Sequence, residues 1–528
     1  MAEAEDSVVK ARLMHPDRDF NPQRLLPDHA SDLSRDLALD SLSRTMAGGD
    51  ELVYDVALKT LLLDTALDLD TVIYRQEILR DAIVNPQVTR RCYDLVTEAI
   101  QGKRKSHWAF ASNYPSSILH GAIDILKMFA DILRKLRNEA DIQAVRFESR
   151  GFRSLFRMLQ REFTDEYLVQ VSSCLATLKL DNGVLLSAKL GAGNEGKSYT
   201  LREVKDSDPH WMDRLFGRRA ASGYTFRIAD RDEAGARALS DLRHRGINEV
   251  ANALAQSMDH ILAFFEMLRT ELAFYVGCVN LHERLAALGV PTCFPRPSPM
   301  GAGELRFENL SDPCLALSMN SAVVGNTLDI GGKRLAIITG ANQGGKSSFL
   351  RSIGLAQAMM QAGMYVAATS FAGDLCAGLF THYRREEDPS MRGGRLDEEL
   401  QRLSTMANVL APGAMILFNE SFASTNEREG SEIATQTVSA LRDCGIRVFF
   451  VTHLHGFAHV FFAEDAKDIA CLRAERLPDG RRSFRIIFGA PLETSHGEDV
   501  YREVFGDFAV GTHEGMSAVA PPRGRISG

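Results

Sequence analysis

Residues 335–350, LAIITGANQGGKSSFL, constrain this chain more than any other stretch: an apolar run, a glycine-rich turn and the start of a helix follow one another without a gap. Gly340, Gly345, Lys346 and Ser347 fit G-x-x-x-x-G-K-[ST], in which glycines let backbone N–H groups close around phosphate oxygens and the next helix N-terminus adds further donors. The pattern assigns Gly340, Ala341, Asn342, Gln343, Gly344, Gly345, Lys346, Ser347 and Ser348 to binding a nucleotide, ATP. Lys346 is expected to reach the β- and γ-phosphates and the Ser347 hydroxyl to ligate Mg²⁺. A glycine-rich turn without a ligand is the bland alternative, and the flanking strand and helix weigh against it.

Two more apolar runs carry chemistry at their ends. Residues 415–418 end in Asn419 and Glu420, where phosphate-loop ATPases place two acids, one for the Mg²⁺ shell and one for the attacking water. Glu420 suits the second task. Asn419 keeps an oxygen for a Mg²⁺-bound water without the charge, and a lost carboxylate weakens the metal by roughly a few kcal/mol at an effective dielectric of about 20. Conversion of ATP and water to ADP and phosphate is therefore expected to be slow. The competing reading is an N-cap asparagine beside a solvated glutamate. Residues 448–451 end in Thr452 and His453, which places His453 as a γ-phosphate sensor. His453, His455 and His459 match no zinc spacing.

A chain of 528 residues allows two to four domains of roughly 100 to 200 residues each, and 45% hydrophobic content builds real cores. The formal net charge of −8 excludes a global basic field, so any nucleic-acid contact must use local patches. Eight cysteines are scattered with no C-x-x-C pair, which points to reduced, mostly buried thiols. The first residues lack a signal-peptide core and no run of eighteen apolar residues occurs, so a cytoplasmic protein without membrane contact is expected.

Along the chain, residues 51–102 repeat apolar positions at helical steps (Val56, Leu61, Leu62, Ile78, Leu79), as several packed helices do, and residues 1–115 form an N-terminal helical core region. Lys103, Arg104 and Lys105 read as a solvated turn. Residues 116–295 form a helical lever or core region with long amphipathic helices, interrupted at about 181–230 by a small β-rich insertion. The insertion carries Lys189, Lys197, Arg202, Lys205, Arg214, Arg218, Arg219 and Arg227, either a phosphate-facing density or solvated decoration. Gly191 and Gly193 lack the flanking strand and helix of a nucleotide loop. The helical block from 233 to 288 closes at GVPTCFPRPSPMGAG, whose proline and glycine forbid regular structure. From 304 to 510 strands alternate with helices, as in an α/β domain with a largely parallel sheet and the phosphate loop at a strand's carboxyl end. Residues 511–528 read as a disordered tail.

These motifs together resemble the MutS family of DNA-repair ATPases. IITGANQGGKSSFLRSIGLAQAMMQAGMYV is similar to that family's phosphate loop and following helix, ILFNESFASTNEREGSEIA to its acidic strand, and FFVTHLHGFA to its histidine strand. VVGNTLDI at 323–330 resembles the segment over the nucleotide base, with Asn326 as the matching asparagine, and TSHG at 494–497 resembles its S-x-G stretch. TVIYRQEILRDAI at 71–83 and ELAFYVGCVNLHERL at 271–285 are similar to its helical core and lever. The resemblance covers about 200 residues strongly and implies a P-loop NTPase of the ABC type. It implies a homodimer with two composite ATP sites, each completed by a partner's signature loop, and ATP-controlled clamping of DNA.

The departures matter. The matching signature stretch is GGRLDEELQRL, in which Glu399 fits the family's glutamate but Gly394 stands at the serine position, with Gly393 and Gly394 able to offer backbone N–H groups. No counterpart of the N-terminal mismatch-reading domain is recognised, and Phe264-Phe265-Glu266, which has the letters of its wedge, lies on an amphipathic helix as core. The first reading is a dimeric MutS-like ATPase that clamps branched, recombining or damaged DNA rather than ordinary mismatches, with repair or recombination proteins as partners. The second is a nucleotide-gated dimeric scaffold that regulates a protein partner, with weak or no hydrolysis and no DNA role.

Overall fold

The computed structural model describes residues 9–63, 68–105, 114–180, 183–194, 196–202, 232–385, 394–464, 466–477 and 481–491. They gather into two compact units. One comprises Met1–Gly332, Arg351–Thr381 and Asn408–Met415, the other Lys333–Leu350, His382–Ala407 and Ile416–Gly528.

The first unit opens with helices α1 (Ala30–Asp36), α2 (Leu39–Ala47), α3 (Glu51–Leu63), α4 (Leu69–Val84), α5 (Pro86–Lys105), α6 (Pro115–Gln143), α7 (Arg150–Glu162) and α8 (Asp165–Thr177). Local chemistry sets several of their starts. Asp68 accepts the Thr71 N–H at the head of α4, Ser149 that of Phe152 before α7, and Thr164 that of Tyr167 before α8. Lys103, Arg104 and Lys105 are the last turn of α5 rather than a separate turn, where cations favour the helix dipole, and Lys103 pairs with Asp259 at 3.1 Å.

After the hairpin β1 (Leu185–Leu190) and β2 (Gly196–Arg202), helix α9 (Glu233–Ala287) runs unbroken for 55 residues, about 80 Å at 1.5 Å per residue. The expected helical block is thus one helix. Its second half buries Phe265, Leu268, Leu272, Phe274, Tyr275, Cys278 and Leu281 among α2, α3, α5 and α6. Gly277 permits that approach, because a Cβ there would lie 2.9 Å from Val53 Cγ1. Phe264 and Phe265 are buried, as core residues should be. Of the expected β-rich insertion, residues 203–231, with Lys205, Arg214, Arg218, Arg219 and Arg227, lie outside the described residues.

The remaining elements are β3 (Arg296–Ser298), β4 (Leu305–Leu310), α10 (Pro313–Met319), β5 (Asn326–Asp329), β6 (Leu335–Thr339), α11 (Lys346–Gln361), β7 (Ser370–Asp374), β8 (Leu379–Tyr383), α12 (Arg395–Ala407), β9 (Met415–Asn419), α13 (Glu427–Asp443), β10 (Arg447–Val451), α14 (His455–Glu464), β11 (Ile469–Arg476) and β12 (Arg482–Phe488). Two expectations are corrected here. The proline-rich stretch does contain regular structure: β3 pairs in parallel with β7 at the edge of a four-stranded sheet of order β3-β7-β4-β5, where Pro297 is tolerated because an edge strand needs only one ladder. The strands after residue 304 also do not form one largely parallel sheet. β4 runs antiparallel to both β5 and β7, while six others form a mixed sheet of order β12-β11-β6-β10-β9-β8.

In that second sheet β6 is parallel to β10 and β11, and β12 is antiparallel to β11. All five residues of β6 are buried, as an inner strand between two parallel neighbours must be. All eight cysteines are free. Cys92, Cys278, Cys314 and Cys376 are buried, but Cys174 and Cys444 are exposed, so the expectation of mostly buried thiols holds for half of them. No described helix is long and apolar enough to cross a membrane.

Candidate nucleotide site

β6 ends at Thr339 and α11 begins at Lys346, so residues 340–345 form the turn between an inner strand and a helix N-terminus. Gly340 (φ 110°) and Gly345 (φ 88°) lie in the left-handed region that favours glycine. Space demands small residues as well: a Cβ would come within 3.0 Å of Ala474 N at Gly340 and 2.7 Å of Ala474 Cβ at Gly344. The loop is thus clamped beneath β11. Gln343 adopts φ 58°, and its side-chain oxygen accepts from Arg482 Nη1 of β12 at 2.7 Å. Asn342, Gln343 and Ser347 are exposed, while Ala341 and Gly344 are buried and Ser348 half-buried.

Lys346 is 5% exposed, and its ammonium donates to the carbonyls of Gly340 (2.9 Å) and Ala341 (3.0 Å). Burial pushes its pKa down, and the nearby Glu420 opposes that. Among the described residues it forms no ion pair within 4 Å. A buried cation satisfied only by neutral carbonyls, on a loop of backbone N–H groups, is the donor set an anionic polyphosphate requires. The residues fit that ligand.

The sheet order sets β10 between β6 and β9, so the phosphate loop, His453 and the Asn419–Glu420 pair emerge from adjacent strand ends. Backbone bonds tie these ends together: Thr452 N–H donates to Ile338 O at 3.1 Å and Glu420 N–H to Val451 O at 2.9 Å. Ser347 Oγ donates to Asn419 Oδ1 at 3.0 Å. The hydroxyl and the amide oxygen therefore converge, as two oxygens able to flank a hard cation do. Glu420 sits at φ 56°, a strained conformation for a non-glycine residue that persists only where its surroundings enforce it, and its Oε1 lies 3.0 Å from His453 Nε2. Asn419 is no N-cap; Asn426 caps α13 by accepting from Glu429 N.

A second, buried cluster supports this one. Glu399 of α12, 4% exposed, accepts from Phe422 N–H at 2.8 Å and Ser424 Oγ at 3.1 Å. His382 Nε2 faces the Glu399 carbonyl at 3.0 Å, which fixes a proton on that nitrogen, and Nδ1 lies 2.8 Å from Ser421 Oγ. The residues directly after Glu420 are thus held in place by α12 and β8. Sequence reading singled out Glu399 only as a signature residue and missed His382, Ser421 and Arg482. A histidine in the apolar run of β8 was the one visible hint, and Arg482 lies outside every motif.

Asn326 heads β5 in the first unit, buried and in register with Leu310. Gly394 directly precedes α12, while Gly393 and residues 494–497 lie outside the described residues. Among the described residues no group of three or more His, Cys, Asp or Glu is placed to hold a metal.

The class these features define is a helical unit joined to an α/β mixed-sheet domain with a glycine-rich loop at an inner strand end. Residues 67–288 match the MutS2 N-terminal domain and residues 336–501 match MutS domain V. The chain belongs to the MutS family. It is 26% identical over 222 residues to a DNA mismatch repair protein MutS of Chloroflexus aurantiacus, covering 41% of this chain and 23% of that one. It is 25% identical over 243 residues to MutS protein homolog 4 of Mus musculus, covering 45% of this chain and 25% of that one. Over 292 residues it is 24% identical to DNA mismatch repair protein spellchecker 1 of Drosophila melanogaster, covering 49% and 32%. The aligned part of the chain thus spans about a quarter to a third of these relatives.

Proposed function

We propose that this protein is an ATPase of the DNA-repair type that acts as a dimer on branched, recombining or damaged DNA, with the residues around Lys346 as its nucleotide site. The observation that carries the reading is the buried Lys346 ammonium, held by neutral carbonyls at the one place where Ser347, Asn419, Glu420 and His453 also meet. Residues 340–348 bind the phosphates. Ser347 and, through water, Asn419 hold Mg²⁺. Bound ATP with Mg²⁺ supplies the transferable phosphoryl group. Glu420 orients the attacking water, and the contact at 3.0 Å lets His453 fix the rotamer of the Glu420 carboxylate and sense the γ-phosphate position.

Asn419 favours a second reading. Without a carboxylate beside Ser347 the cation is held by neutral oxygens, which suits a nucleotide-gated scaffold that binds ATP, turns over little and regulates a protein partner. ATP hydrolysis measured with and without a four-way DNA junction separates the two. Stimulation by the junction, abolished in Glu420→Gln while ATP binding persists, supports the DNA-coupled ATPase. Tight ATP binding with no turnover and no response to the junction, with turnover appearing in Asn419→Asp, supports the scaffold.

A further inference from the structure

Among the described helices of the first unit, α7 is the most sharply two-faced. Its apolar face, Phe152, Leu155, Phe156 and Leu159, is buried, and Phe147, Phe152 and Phe156 form a ring cluster with centroids 4.6 to 5.7 Å apart. Gly151 brings the helix onto α4, where a Cβ would lie 2.3 Å from Ile78 Cδ1, so the helix cannot easily roll. On the opposite face stand Arg150, Arg153, Arg157 and Arg161, all exposed. At 3.6 residues per turn these four fall within an arc of about 80°, and they extend over about 16 Å.

The positive charge of this stripe is incompletely cancelled. Arg150 pairs with Asp70 and Glu77, and Arg161 with Glu162, through exposed ion pairs that exchange readily for a stronger anion. Among the described residues no carboxylate pairs with Arg153 or Arg157; Arg153 Nε donates to the Phe147 carbonyl at 3.2 Å. From Arg150 to Gln160 the helix has no acid of its own. In a chain of net charge −8 this is a marked local exception.

We propose that the arginine face of α7 is a contact surface for the phosphodiester backbone of duplex DNA, a site that rests on the DNA reading above and adds to it a named surface. Phosphates of one strand advance about 3.4 Å each along the duplex axis and lie farther apart along the winding backbone itself, so a stripe of about 16 Å faces two or three of them, and guanidinium groups match phosphate oxygens bidentately. The groove along the stripe is lined by Glu148, Ser154, Met158 and Gln160 besides the arginines. It offers no apolar pocket of the kind an acidic peptide needs for anchorage, whereas a phosphate backbone needs none.

The test is fluorescence anisotropy of the full chain with a labelled DNA duplex, titrated from about 50 to 200 mM salt. The variant Arg153→Ala/Arg157→Ala is compared with Arg134→Ala/Lys135→Ala, a charge-matched control on α6 whose cations already pair with Asp131 and Glu98. The α7 variant is expected to bind at least about tenfold more weakly, with a log–log salt slope shallower by about 1.8, while basal ATP hydrolysis is unchanged and the control stays near wild type. Arg157→Glu alone repeats the test without touching the Phe147 contact. Wild-type binding with an unchanged α7 variant overturns this surface and leaves the DNA reading standing. Absence of wild-type binding at low salt overturns both. Poly-glutamate binding that the α7 variant loses, with duplex binding intact, assigns the stripe to an acidic protein and also overturns the proposal.

Discussion

At the scale of single residues, the chemistry read from the sequence is the chemistry that lies close together in it. Lys346 meets the carbonyls of Gly340 and Ala341, six and five positions away, so a motif captures the cradle. Glu399 acts on Phe422 and Ser424, more than twenty positions away, and nothing in the linear order joins them. The same holds for Glu271, fully buried in α9, which accepts the backbone N–H groups of Leu13, Met14 and Phe20. Burial raises its pKa from 4.5 to about 7, with Asp19 adding to the shift and the three N–H donors opposing it. The carboxyl therefore keeps its proton in the folded chain at pH values where the unfolded chain has released it. Stability from this group is fully present below about pH 4.5 and is lost as pH rises to about 7, by about 3 kcal/mol. Glu271→Gln is expected to flatten the slope of unfolding free energy between those pH values, measured by urea titration. An unchanged slope would assign the pH dependence to other groups.

Among the elements, periodicity located the helices and end residues located the strands β6, β9 and β10, because inner parallel strands read as unbroken apolar runs. Edge pairing left no such trace. β3 is three residues long and contains Pro297, and its existence depends on β7, more than seventy positions downstream. The continuity of α9 was also not legible, since one helix and two helices share the same apolar spacing until a break is required. Packing of α7 on α4 gives an element-scale prediction. Gly151→Val places a branched side chain where Ile78 Cδ1 already lies 2.3 Å from the Cβ position, and is expected to destabilise the first unit by about 1–3 kcal/mol. Ile78→Val removes the offending Cδ1 and should recover part of that loss. A thermal double-mutant cycle reads the coupling, and strict additivity would show that α7 shifts on α4 instead of packing rigidly.

For the molecule as a whole, net charge and local charge act in opposite directions. A formal charge of −8 repels a polyanion at long range, and at about 10 mM salt the Debye length of about 30 Å lets much of that field reach an approaching duplex. The arginine stripe of α7 acts only at contact. Association and dissociation should therefore respond to salt differently. Raising salt from about 10 to 100 mM shortens the Debye length to about 10 Å, which weakens the repulsion before it weakens the contact pairs. The association rate is expected to hold steady or rise by up to a few fold, while the dissociation rate rises steeply and carries the loss of affinity. Stopped-flow anisotropy with a short duplex separates the two rates. An association rate that falls steeply with salt, as for an electrostatically steered pair, would mean that the basic surface dominates the distant field, and would move the expected contact to a basic region much larger than α7.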